Sequence, residues 1–280
     1  MRDGPLEITD LLWSSSGTAV VRADAVELLR SRGQVRAAQV VSMLPARDGV
    51  LDAEAIDALG LRIHRELQRL GEELQLGRRV ASVVRTLLPA GSAPVRVVDV
   101  GCGLGHVLRS IAARGELPAH VDLVGVDLNA VLVAEASRLA ALEGLDCRFV
   151  SADAFEPGGV IEDGSRTVVV SSGLMHHLAP EDLDGFFAAQ ARLGVAAFAH
   201  WDIAPCLWST MGAWLFHQAR MREAVSRHDG VMSARRAHPA ETLLAAASRG
   251  APDHDVEVRE GSRWHPRALD VLRPLVGVRR

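Results

Sequence analysis

The run Val97-Val98-Asp99-Val100-Gly101-Cys102-Gly103-Leu104-Gly105 holds the residues of this chain best suited to chemistry. A β-rich segment ends in an acid and enters three glycines at alternate positions. The main chain can therefore turn tightly at a helix N-terminus and approach a ligand closely. A dinucleotide-binding turn would read G-x-G-x-x-G, but here His106 follows Gly105 and the third glycine comes one residue early. That spacing favours a nucleoside carrying an amino acid over a pyrophosphate. The next apolar run, Val124-Gly125-Val126-Asp127, ends in an acid at the distance where a carboxylate can accept hydrogen bonds from both hydroxyls of a ribose. A third run ends in Ser151-Ala152-Asp153-Ala154-Phe155, where Asp153 can meet an adenine amino group while Ala154 or Phe155 covers the ring.

Histidines and acids recur at the ends of later runs. In Leu174-Met175-His176-His177-Leu178, one histidine can line a pocket or act as general base while the other makes a structural hydrogen bond. His200-Trp201-Asp202 ends another apolar run. There Asp202 can orient a polar acceptor or simply cap a helix ahead of Ala204-Pro205. His228-Asp229 precedes Gly230 in an apparent turn, either closing a pocket as a polar pair or ending a helix. Arg78 and Arg79 either reach a ligand carboxylate or form a solvated face. An acceptor hydroxyl or phenol would need a base from His176, His177, His200 or His228; an activated carbon or neutral amine would need none.

The elements that must position these residues follow from periodicity. Residues 1 to about 50 give mixed signals: Thr9-Asp10 and Ala23-Asp24 can each open a short helix, and Val35 to Leu44 is helix or strand. From Asp52, Leu59, Ile63, Leu67, Leu70 and Leu74 repeat at helical spacing, and helices run to Leu88 before Pro89-Ala90-Gly91. Strands are then expected at Val95 to Val100, Val121 to Val126, Cys147 to Val150, Thr167 to Ser171 and Gly194 to His200. Helices fall between them, one over Ala130 to Glu143 capped by Asn129, another opening at Pro180-Glu181-Asp182. Alternating strands and helices specify a Rossmann-like, doubly wound, mostly parallel α/β sheet, with its ligand crevice at the carboxyl ends of the strands. Beyond Asp202, a helical stretch from Trp208 to Ser226 is followed by a helix from Pro239 to Ala247. Val256-Glu257-Val258 and Ala268 to Leu272 read as closing strands. The expected organisation is an N-terminal helical region (1–90), a nucleoside-binding core (91–203), a helical lid and acceptor region (204–250) and C-terminal strands (251–280). The stripe Trp208, Met211, Trp214, Leu215 and Phe216 roofs an apolar pocket, or is core or a homodimer face.

At these residues the chain resembles the class I S-adenosylmethionine-dependent methyltransferases, nearest to their small-molecule branch in bacterial secondary metabolism. The shared order is E/D-x-G-x-G-x-G on the first strand, an acid ending the second, an Asp after the third and Leu/Met-His-His-Leu after the fourth. The similarity spans roughly residues 95 to 205. It implies that Asp99, Gly101, Cys102, Gly103 and Gly105 hold the methionine part of the cofactor. It places Asp127 and Leu128 at the ribose, Asp153, Ala154 and Phe155 at the adenine, and Ser172, Met175 and His176 beside the sulfonium. The implied cofactor is S-adenosyl-L-methionine, with a small molecule as acceptor and His176, His177, His200, Asp202 and His228 as catalytic candidates.

Composition narrows the partners. About half the residues are hydrophobic and a quarter charged, and the net charge is −4 with every basic residue an arginine. A chain of this kind is a folded globular protein without the basic footprint of a nucleic-acid binder. The absence of Lys and Tyr removes both from the possible bases. Cys102, Cys147 and Cys206 lack metal-ligand spacing, and no carboxylate cluster suits a catalytic Mg²⁺, so no metal is expected. The polar start and the absence of a long apolar run point to a cytoplasmic protein with no membrane partner.

Overall fold

The computed structural model describes residues 5–13, 19–91, 93–205, 207–259 and 272–280, with the side chains of 207–209 also outside the description. In chain order the first elements are helices α1 (Ile8–Leu12), α2 (Arg22–Ser31) and α3 (Val35–Ser42), a two-residue hairpin β1 (Ala46–Arg47) and β2 (Val50–Leu51), and the long helix α4 (Ala53–Glu73). The segment from Val35 left open between helix and strand is helical. Its Ala37, Ala38 and Val41 fall on one side and are buried. Helix α5 (Leu76–Leu87) then leads into β3 (Val95–Val100), α6 (His106–Arg114), β4 (Val121–Asp127), α7 (Ala130–Leu142), β5 (Arg148–Ser151), β6 (Thr167–Ser172), α8 (Leu183–Arg192) and β7 (Ala197–Ile203). Helices α9 (Leu207–Arg220), α10 (Ala224–Arg236) and α11 (Ala240–Gly250) precede β8 (His254–Val258) and β9 (Leu272–Arg279).

These elements form two compact units. One is Met1–Leu67 with Pro205–Ala237; the other is Gln68–Ala204 with His238–Arg280. The first is helical. Its core joins Ile8 and Leu12 of α1, Leu29 of α2, Val41 of α3, Ile56, Leu59 and Ile63 of α4, and Val225 of α10. Asp229, in the interior of α10, accepts the backbone N–H groups of Ile8 and Thr9 at 2.8 and 2.9 Å, which satisfies the N-terminus of α1.

The second unit is a seven-stranded sheet in the order β5-β4-β3-β6-β7-β9-β8. All neighbours are parallel except the pairs made by β9, which runs antiparallel to both β7 and β8. The chain winds outward from β3 to β5 and crosses back to β6 on the other side of β3, so the winding reverses between β3 and β6. An open α/β sheet binds its ligand at such a point, beyond the carboxyl ends of the strands. One face packs Val97, Leu123, Val168 and Val170 against α5, α6 and α7; the other packs Val98, Val100, Val126 and Val169 against α8 and α11. Continuous apolar strands are what a sheet covered on both faces requires.

Three features depart from the sequence expectations. Helix α11, expected in the lid region, belongs to the sheet unit, where Leu243, Ala246 and Ala247 bury against the second face. His228-Asp229-Gly230 is not a turn but lies inside α10. The strand that closes the sheet is Leu272–Arg279; of the expected Ala268 to Leu272, residues 268–271 lie outside the described residues.

Candidate active site

The crevice is built from the turns that follow the parallel strands of the sheet unit. After β3, Gly101, Gly103 and Gly105 all have positive φ, at 71°, 53° and 66°. L-residues with a Cβ rarely adopt that region, so the alternate glycines are a backbone requirement of this turn. Space imposes a second constraint at Gly105, where a Cβ would lie 2.2 Å from Cε1 of Phe149. The Gly101 and Cys102 N–H groups both donate to the Val126 carbonyl, which ties the turn to the end of β4.

Asp127 completes that tie. Its Oδ2 accepts the Gly103 N–H at 2.8 Å and its Oδ1 accepts the Asn129 N–H at 2.9 Å. Asn129 caps α7 as expected, its side chain accepting from Val131 and Leu132. Leu128, between these two, is 53% exposed, an unusual state for a leucine and an apolar surface beside an acid. Asp99 lies on the same sheet face as Asp127 and is buried. Burial, then the nearby Asp127 charge, pushes its pKa up to about 8. The same causes keep the Cys102 thiol well above its ordinary value, so it is neutral and not a nucleophile. Asp153 is exposed and its Oδ1 accepts the Phe155 N–H at 2.9 Å, a local turn. Ala154 and Phe155 are half-buried, with the Phe155 ring edge-on to Phe186.

Beyond β6, whose last residue is the half-buried Ser172, a short 3-10 turn carries Met175–His177. Asp202, at the end of β7, grips this turn twice. Its Oδ2 accepts the His176 N–H at 2.8 Å and its Oδ1 accepts the ring Nδ1–H at 2.7 Å. Burial alone would raise the Asp202 pKa. The His176 charge and hydrogen bonds from the His176 ring and from the His176 and Ile203 backbones outweigh it, and the carboxylate is held below its ordinary value. With Nδ1 donating, Nε2 is the nitrogen carrying the basic lone pair. His177 stacks obliquely beside His176, ring centroids 4.3 Å apart.

Several candidates sit elsewhere. Met175 is fully buried in the core of the second face, so its side chain is not at an open crevice. Its carbonyl accepts from His238 Nε2 at 3.2 Å. His200 does not face an acceptor either. It shares the strand face of Phe198, two residues back, and is walled in by Phe186, Phe187 and Phe198. Its Nδ1 meets Ser171 at 2.9 Å and its Nε2 meets Gln190 at 3.1 Å, and burial drives its pKa down to about 3. His228 belongs to the helical unit, its Nδ1 on Asp229 at 2.7 Å. Arg79 donates to the Leu272 carbonyl and Arg78 lies 3.6 Å from Glu116, both structural engagements.

One residue missed in the sequence reading supports the glycine turn from behind. Arg109, buried on α6, donates from Nε to the Leu104 carbonyl at 3.1 Å and from Nη2 to Gln68 Oε1 at 2.8 Å, and its Nη1 pairs with Glu143. A lone arginine in a helical pattern gives no sign of this.

Residues 97–194 match the family model described as a methyltransferase domain. Over these residues the chain carries a methyltransferase domain. Solved structures agree on the fold. Magnesium protoporphyrin IX methyltransferase from Synechocystis PCC 6803, with bound SAH, is 17% identical, with a TM-score of 0.51 over 92% of this chain and 100% of that one. The CMeT domain of the citrinin polyketide synthase is 16% identical, with a TM-score of 0.54 over 91% and 69%. The methyltransferase domain of bacterial CtHen1-C is 13% identical, with a TM-score of 0.53 over 74% and 97%. No match was found among the curated proteins. Among the described residues, no helix is long and apolar enough to cross a membrane.

Proposed function

We propose that this methyltransferase acts on a small, partly apolar acceptor, in secondary metabolism and in the cytoplasm. The observation that carries the small-ligand reading is the pair Asp99 and Asp127 on either side of a turn that only glycines can make. The donor set fits S-adenosylmethionine. Asp99 is a buried acid with no counter-cation among the described residues, and an ammonium group would supply one. Asp127 keeps acceptor capacity on both oxygens beyond its two backbone bonds, enough for two ribose hydroxyls. The exposed Leu128 and the half-buried Ala154 and Phe155 offer apolar surface for an adenine ring, with Asp153 beside them.

When bound, the cofactor supplies an activated methyl group on a sulfonium. The residues of the chain supply alignment, which can contribute roughly 7–11 kcal/mol, against about 10²–10⁴-fold for one acid or base. Asp202 holds His176 in one orientation and one tautomer at the end of β6, so this histidine is the base if the acceptor is a hydroxyl or phenol. His177, beside it, shapes the same turn.

The test is calorimetry of the pure protein with S-adenosylhomocysteine and with NADH, followed by methyl-labelled cofactor and a panel of acceptors. Heat for the first ligand alone and label on a small acceptor support the reading. Clear NADH binding with none for the homocysteine product overturns it. Label on RNA or protein, with acceptor binding that falls steeply with salt, moves the acceptor to a macromolecule.

A further inference from the structure

The helical unit carries an open cleft of about 1100 Å³ between α3, α10 and Trp214 of α9. Sixteen residues line it. Four are arginines, Arg32, Arg36, Arg227 and Arg235, and none is Asp or Glu. In the whole chain the acids outnumber the arginines by 35 to 31, so the cleft concentrates positive charge against the average. Two acids adjoin lining residues in sequence: Asp229 is buried and spent on the Ile8 and Thr9 N–H groups and on His228, and Glu223 pairs with Arg62 at 2.7 Å. Arg227 is held in place by the Met221 and Arg222 carbonyls, at 2.9 and 2.8 Å, which fix it without cancelling its charge. Arg36 and Arg235 are exposed, and among the described residues no ion pair joins them to a carboxylate.

Apart from Gln34, Gln218 and His228, the remaining wall is apolar. Val35 is 56% exposed and Trp214 is 48% exposed, and both line the cleft with Val40, Val231 and Met232. Two large apolar side chains left exposed beside a cleft are the surface an apolar ligand would cover. Guanidinium groups match a carboxylate in a two-pronged geometry, and a tryptophan face takes a flat apolar body.

We propose that this cleft binds a carboxylic acid with an apolar body.

Calorimetry of the full chain with 2-naphthoate and with neutral 2-naphthamide tests it. Naphthoate is expected to bind at least about tenfold more tightly than the amide, because hydrogen bonds to charged groups are the strong ones. The double variant Arg36→Gln with Arg235→Gln, at two exposed positions, should lose about tenfold in naphthoate affinity while the amide and S-adenosylhomocysteine bind as before. Trp214→Ala should weaken both naphthalene probes. Equal or undetectable binding of the two probes, an unaffected double variant, or displacement of naphthoate by oligothymidylate with steep salt dependence overturns the cleft assignment.

Discussion

The carboxylate of Asp127 accepts the backbone N–H of Gly103 at 2.8 Å across the gap between the first two turns of the crevice. The acid assigned to the ribose therefore also holds the glycine turn in shape. Asp127→Ala removes both functions and should lower affinity for S-adenosylhomocysteine by more than about tenfold. Asp127→Asn should do nearly as badly, because an amide nitrogen would face the N–H of either Gly103 or Asn129. Calorimetry on the three proteins decides. Wild-type affinity in the alanine variant removes the ribose assignment.

Asp99 is expected to show an opposition between stability and binding. Its folded pKa, about 8, lies above the ordinary 3.8. Its contribution to stability is therefore complete below about pH 4 and is lost as pH rises through 8. Asp99→Asn should raise the melting temperature at pH 8.5, leave it nearly unchanged at pH 4, and abolish binding of the cationic cofactor head. A variant that melts lower at pH 8.5 would show that the carboxylate already has a cationic or donor partner.

His200 gives the opposite pH sign. Its folded pKa, about 3, lies below the ordinary 6.5, so the stability it confers is present above pH 6.5 and is lost as pH falls towards 3. His200→Phe fills the aromatic slot but orphans Ser171 and Gln190, at about 1–3 kcal/mol for each buried group left unpaired. It should melt lower at pH 7.5, yet lose less on going to pH 4.5. A parallel displacement of the two melting curves at every pH would mean that His200 does not titrate in this window.

The sheet was legible because each strand from β3 to β7 reads as an apolar run with an acid, serine or glycine at its end, and Asn129 announced its helix. The losses have physical causes. Strand β9 carries Pro274 and Gly277, which argue against a strand. Yet Gly277 is there because the Phe198 ring would lie 2.1 Å from any Cβ. The Asp229-Gly230 pair is the commonest of turn signals. Here the aspartate serves the N-terminus of α1, and the glycine leaves room for the His217 ring, 2.0 Å from where a Cβ would stand. His200 and Asp202 lie two residues apart on one strand face, and no local pattern tells that one is walled in and the other reaches the crevice. In the site, the glycines and acids could be read from spacing, whereas the bond between Asp202 and His176 spans 26 residues and needed the fold.

That bond makes Asp202 a positioning residue. Asp202→Asn keeps one acceptor and loses the other, so either the His176 backbone or its ring is released. If His176 takes the acceptor's proton, kcat should fall by about 10²-fold or more with cofactor affinity unchanged. Equal losses in kcat and cofactor affinity would reduce Asp202 to a structural brace.

A comparison of two glycines on α6 separates backbone strain from collision. Gly105 and Gly115 bound the helix, both in the left-handed region, at φ 66° and 59°. Alanine at either costs about 1–2 kcal/mol for that conformation. Around Gly115 nothing lies within 4 Å of an added Cβ, whereas at Gly105 the Phe149 ring stands 2.2 Å away. Phe149 is itself buried among Val97, Leu123 and Val133, so it cannot swing clear without opening the core. Gly105→Ala should therefore cost about 1–3 kcal/mol more than Gly115→Ala in denaturant melts, and it alone should lose cofactor binding. The double variant Gly105→Ala with Phe149→Leu should recover part of the stability by vacating the ring. Equal costs for the two single substitutions would mean that the turn can move away from Phe149, and that its close fit against β5 is not what holds the crevice in shape.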